Sequence, residues 1–153
     1  MRFTIDIDEK LLEEAQKLMR KIKGIYVLFI SVKRDIFVKV GALGKIKFSQ
    51  GTYAYVGSAQ NGIKKRFARH LRKEKRKFWH IDYLLGEKNT RIEKVAYQKA
   101  PKEEECRIAQ ALSQIGEPIR GFGCSDCLCS SHLFKIEETA IRLFMQDNSL
   151  VPV

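Results

Sequence analysis

Apolar and charged residues take turns at the start of the chain, with Phe3, Ile5 and Ile7 set against Arg2, Asp6 and Asp8, a period of two that predicts a short strand. Asp8 stands where a helix N-cap belongs, and Leu11, Leu12, Ala15, Leu18 and Met19 then recur at helical spacing until Lys23-Gly24 ends the pattern. Ile25 to Val32 is a continuous β-prone run and reads as a central strand. Asp35 to Val40 and Lys45 to Phe48 flank Gly41-Ala42-Leu43-Gly44 and read as a hairpin. Thr52 to Val56 is a further strand that stops at Gly57-Ser58, where the chain turns toward a helix.

From Ile63 the period changes. Ile63, Phe67 and Leu71 line one helical face, and Arg66, His70, Lys73 and Lys77 line another. Trp79 to Leu85 continues as helix, Ile92 to Tyr97 as strand, and Lys102 to Ile115 as a helix that turns Ile108, Ala109, Leu112 and Ile115 inward. Gly116 to Ser131 reads as loop, Leu133 to Ile136 as a strand, and the tail with Ile141, Leu143 and Phe144 as helical. The fold class expected is α/β of the α+β kind: an antiparallel sheet of mixed strand order, flanked by helices and enlarged by the hairpin. One domain spans residues 1–153, with 1–22 as an N-terminal extension, 24–123 as the core and 124–153 as a tail.

Composition narrows the class. A chain of 153 residues has room for one core, and 44% apolar with 31% charged residues is the balance of a soluble globular chain. The longest apolar run, Tyr26 to Ile30, falls far short of the ~20 residues that cross a bilayer. The N-terminus lacks the basic-then-apolar order of a secretion signal. The expectation is a cytoplasmic protein with no membrane partner, its four cysteines reduced, metal-bound or buried.

Charge points to a partner. Lysine and arginine total 29 against 18 acidic residues, for a net +11. Much of the excess lies between Lys64 and Lys77, where Lys64, Lys65, Arg66, Arg69, Arg72, Lys73, Lys75, Arg76 and Lys77 face only Glu74. Such a segment suits a polyanion, and nucleic acid, DNA first, is the expected partner.

The same segment carries candidate chemistry. Gly24-Ile25-Tyr26, Tyr55-Val56-Gly57-Ser58, Arg66-x-x-x-His70 and a later helical Glu105 follow one another in order. Cutting a phosphodiester requires an activated water, neutralised phosphate charge and help for the leaving oxygen. A guanidinium holds phosphate through two parallel hydrogen bonds, and a tyrosine of ordinary pKa ~10 needs a nearby cation to serve as a base at neutral pH. Lys39, Lys45 and Lys47 on the hairpin are the candidates for that cation.

Over residues 24 to 123 this ordered set resembles the GIY-YIG nuclease superfamily. The resemblance implies a divalent-metal-dependent endonuclease, acting on DNA that is structured or damaged. Tyr26 would be the general base or water-orienting group, supported by Tyr55; Arg66 would hold the phosphate, with His70 as an auxiliary polar group. Glu105, or its neighbour Glu104, would ligate a single Mg²⁺ or Mn²⁺. Lys64, Lys65, Arg69, Arg72, Lys73, Arg76 and Lys77 would contact the backbone of the nucleic acid. Gly121-Phe122-Gly123-Cys124 stands where the family's late asparagine is expected. The run through Cys127 is similar to an uncharacterised archaeal and bacterial branch. Competing readings are a catalytically weak nucleic-acid-binding module of the same fold and a nuclease directed at RNA.

Cys124-x-x-Cys127-x-Cys129-x-x-His132 is the second constellation. Three thiols and an imidazole match a structural zinc site, although structural zinc sites draw their halves from separated segments and all four ligands here fall within one short loop. Zinc, a disulfide and buried reduced thiols remain the alternatives. Cys106 reads as a buried helix residue.

Overall fold

The computed structural model describes Lys10 and residues 24–59, 69–72, 77, 79–124 and 129–152. The strand and helix expected in the N-terminal extension therefore lie outside the described residues, apart from Lys10. So do Lys64, Lys65, Arg66, Lys73, Arg76 and Cys127.

Eight strands and three α-helices are built from these residues: β1 Gly24–Val32, β2 Ile36–Lys39, β3 Lys45–Phe48, β4 Gly51–Ala59, α1 His80–Leu85, β5 Thr90–Gln98, α2 Glu104–Ser113, β6 Gly116–Pro118, β7 Leu133–Ile136, α3 Ile141–Asp147 and β8 Val151–Pro152. Arg69 to Leu71 are also helical. Six strands form one sheet in the order β6-β7-β4-β1-β5-β8, and β2 and β3 form a second, two-stranded sheet. All pairings are antiparallel. The α+β class and the extra hairpin are as the sequence predicts.

The period of two along β1 and β4 divides the core into two layers. Tyr26, Leu28 and Ile30 of β1 join Tyr53 and Tyr55 of β4, Leu133 of β7, the inner residues Ile36, Val38 and Phe48 of the hairpin, and Ile81, Leu84 and Leu85 of α1. Ile25, Val27 and Phe29 join Ala54, Val56, Phe134 and Ile136, together with Ile108, Ala109 and Leu112 of α2 and Phe144 and Met145 of α3. The hairpin and α1 thus cover one face of the large sheet, and α2 and α3 cover the other. An unbroken apolar run is what a strand roofed on both sides needs.

Three local readings are corrected. β4 continues to Ala59, so Gly57-Ser58 is strand; Tyr26 and Ile25 of β1 supply its partners. Gly116–Pro118, expected as loop, pairs with β7 as an edge strand, where proline's missing N–H does no harm. Because α2 stops at Ser113, Ile115 lies beyond it and is 39% exposed. β8, which has no counterpart in the sequence reading, adds a two-residue edge beyond β5 and also contains a proline. Both edges of the sheet are therefore short and proline-blunted, which discourages pairing with another chain.

Candidate functional site

Adjacent strands bring the two tyrosine motifs together. Tyr26 pairs with Gly57, Leu28 pairs with Tyr55, and the two tyrosine rings lie on one face with centroids 6.5 Å apart. A Cβ at position 57 would sit 2.4 Å from Tyr26 Oη, so glycine is the residue that lets the Tyr26 ring cross β4. His70 closes over the pair from its helical segment. Its Nε2 is 2.7 Å from Tyr26 Oη, and Tyr26 and His70 are each only 2% exposed. The imidazole is also 6.2 Å, centroid to centroid, from Tyr55 and from Trp79.

The residue next to His70 is anchored in turn. Asp82 of α1 is fully buried; its Oδ1 accepts a 2.6 Å hydrogen bond from Arg69 Nη1, and its Oδ2 accepts the Trp79 N–H at 2.8 Å. This second bond is the N3 half of a capping box and helps start α1 at His80. The Arg69 guanidinium also lies 4.4 Å from the Trp79 ring centroid. Arg69, expected on a phosphate, is thus engaged with a buried carboxylate and an indole beside His70. Arg72 and Lys77 are exposed, as phosphate contacts would need to be.

The hairpin does not supply the cation expected beside Tyr26. Ile36, Val38 and Phe48 turn toward the core, which leaves Lys39, Lys45 and Lys47 exposed with Phe37 on the outer side. Lys45 Nζ sits 5.5 Å from the Phe37 ring centroid. The side chain beside the Tyr26 hydroxyl is His70 rather than one of these lysines.

Glu105 is not brought to the tyrosines. It shares the buried side of α2 with Ile108, Ala109 and Leu112, which pack on the face of the sheet opposite Tyr26 and Tyr55. Its Oε2 lies 4.0 Å from His132 Nδ1. Around that imidazole the ligand atoms of Cys106, Cys129 and His132 all lie within 4.8 Å of one another, a group that could hold a metal ion. Thiols and imidazole are soft donors, and a hard Mg²⁺ shared between Glu105 and the tyrosines does not fit this arrangement. Of the four residues grouped by sequence, Cys129 and His132 belong to the cluster, and Cys124 Sγ instead donates toward the Phe122 carbonyl at 3.4 Å. Cys106, read as a buried helix residue, is half-buried and joins the cluster. No spacing in the sequence connects Cys106 to residues beyond position 128; only its place beside Glu105 hinted at chemistry.

One turn joins the two regions. Gly121 and Gly123 adopt φ of 78° and 74°, the left-handed region that favours glycine. The Gly123 N–H donates to His80 Nδ1 at 2.8 Å, and buried Phe122 stacks edgewise on Tyr55 and His80. The His132 N–H donates to the Phe122 carbonyl at 2.8 Å, and its carbonyl accepts the Val56 N–H at 3.0 Å. Burial holds both His80 and His132 below the usual histidine pKa.

Among the described residues no helix is long and apolar enough to cross a membrane. No curated protein and no solved structure matches the chain. A match does run over residues 25–149, from the first motif strand to just past α3, and by it the chain belongs to the family described as a domain of unknown function, DUF123.

Proposed function

We propose that this DUF123 protein is a GIY-YIG-like nuclease that hydrolyses phosphodiester bonds in nucleic acid, DNA first, with Tyr26 and His70 as its proton-handling pair. The observation that carries the reading is the 2.7 Å contact between Tyr26 Oη and His70 Nε2, made across 44 positions of sequence. As Tyr26 Oη takes a proton from the attacking water, its own proton passes to His70 Nε2, and the leaving oxygen takes its proton from solvent. Tyr55 and Phe122 wall the pair, and Gly57 gives the ring room. Exposed Arg72 and Lys77, with the basic residues around them, supply the charge that attracts the phosphate backbone.

A second reading, a binding module of the same fold with little or no turnover, is favoured by one observation: Glu105 lies with His132, away from Tyr26. Tyr26→Phe separates the two. Labelled duplex, fork, flap and RNA substrates are incubated with wild type and variant in Mg²⁺ and in Mn²⁺, and binding is measured in parallel. A nuclease loses roughly a hundredfold or more of its cleavage with binding unchanged. Equal cleavage by both proteins removes Tyr26 from the chemistry, and cleavage by neither, with tight binding by both, establishes the binding module.

A further inference from the structure

We propose that Cys106, Cys129 and His132 bind a zinc ion as three protein ligands, with the fourth tetrahedral position left to water and the Glu105 carboxylate orienting the imidazole. The inference is independent of the nuclease reading, because the cluster lies on the α2 side of the sheet, away from Tyr26 and His70.

Three observations carry it. The three ligand atoms are already within 4.8 Å of one another, and tetrahedral zinc, with Zn–S about 2.3 Å and Zn–N about 2.0 Å, sets such atoms about 3.5 to 3.8 Å apart. Closing that gap takes movements of about 1 Å, within reach of side-chain adjustment. Second, the ligands come from two separated segments, Cys106 from α2 and Cys129 with His132 from the chain entering β7. A site built this way ties two elements together through the ion, so that binding stabilises the fold. Third, a carboxylate stands beside the imidazole, with Glu105 Oε2 4.0 Å from His132 Nδ1. A ligating histidine commonly gives its other ring N–H to a carboxylate, and a shift of about 1 Å would bring Nδ1 into hydrogen-bond range of Glu105 and leave Nε2 for the ion. Two thiolates and an imidazole select zinc over magnesium or calcium.

The ion would tie α2 to the start of β7. Through the His132 N–H bond to Phe122, it would also hold the Gly121–Gly123 turn against His80.

The test is metal content and coordination of the full chain. Wild type loaded with zinc and dialysed should retain about one equivalent, Cys124→Ser should retain the same, and Cys106→Ser should lose it. Because a zinc-depleted variant can fold poorly, cobalt(II) gives a second readout. Wild type should show sulfur-to-cobalt charge-transfer absorption and the intense visible bands of a tetrahedral ion, and Cys106→Ser should show about half the charge-transfer intensity or no binding. Glu105→Gln should weaken zinc roughly ten- to a hundredfold in competition with a chelator. Full occupancy and an unchanged cobalt spectrum in Cys106→Ser would overturn the assignment, as would a wild type that retains no zinc.

Discussion

Gly57→Ala is the most exacting test of the tyrosine site, because two effects pull in opposite directions. Alanine suits a strand better than glycine by roughly 0.5 to 1 kcal/mol, so propensity alone predicts a small gain. Geometry predicts a loss. The added methyl would lie 2.4 Å from Cζ and Oη of Tyr26, whereas carbon atoms pack at about 3.5 to 4.0 Å. The ring must shift by about 1 Å inside a core where it is 2% exposed, and overpacking of this kind costs about 1 to 3 kcal/mol. The shift also breaks the buried Tyr26–His70 hydrogen bond, for roughly another 1 to 3 kcal/mol. A net destabilisation of roughly 1 to 5 kcal/mol is expected from urea unfolding. The diagnostic arm is Tyr26→Ala, which removes the ring. In that background Gly57→Ala should cost nothing or stabilise slightly, so the two changes are strongly non-additive. Equal effects of Gly57→Ala in both backgrounds would show that the Tyr26 ring does not cross β4 at this position.

Asp82→Ala should lower stability by about 3 kcal/mol in the same assay, the low end for removing one partner of a buried pair because Arg69 is partly exposed and can rehydrate. It should also reduce any cleavage, since Arg69 is no longer held beside His70; unchanged stability would mean the pair is not formed. His80 is held below the ordinary histidine value of ~6.5 by burial, so the unfolded chain binds more protons and stability is full above about pH 6.5 and declines as pH falls toward the folded-state pKa. His80→Gln should flatten that decline, and an identical profile would show that His80 contributes nothing. Binding to duplex DNA should weaken steeply with salt, with a log–log slope of about −0.9 for each phosphate neutralised, and a flat response would remove the basic segment from the interface.

Much of the fold was written in local pattern. The continuous β-prone run of β1, the strand at Thr52–Val56, the glycine-centred hairpin and the inward residues Ile108, Ala109 and Leu112 depend on neighbours a few positions away, and the structure follows them. What failed locally was context: Gly57-Ser58 looks like a turn until β1 pairs with it, and Gly116–Pro118 looks like loop until β7 does. The site divides the same way. Tyr26, Tyr55 and His70 are linked by motif order and meet in space. Arg69 reads as one more surface cation because its partner, Asp82, is a lone acid on the next helix. Cys106 was separated from its cluster because a helix residue and a loop far along the chain become neighbours only when α2 packs beside β7.

The register of two strands decides how these parts can act on one another. Tyr55 and Val56 are consecutive, yet they face opposite layers of the core. His132, whose carbonyl bonds the Val56 N–H, belongs with the α2 side, while Phe122, which accepts the His132 N–H, packs against Tyr55 on the other. Gly123 lies between them: a Cβ there would be 3.2 Å from His132 Cβ and 3.6 Å from Tyr55 Cε1. The glycine turn is therefore, with β4, in contact with both constellations, and a side chain at Gly123 would crowd His132. An ion bound at His132 would hold the Phe122 carbonyl and, through it, the wall of the tyrosine site. A zinc-depleted protein should accordingly lose order around Tyr55 before it loses the sheet, because β1 and β4 keep their full ladder without the turn.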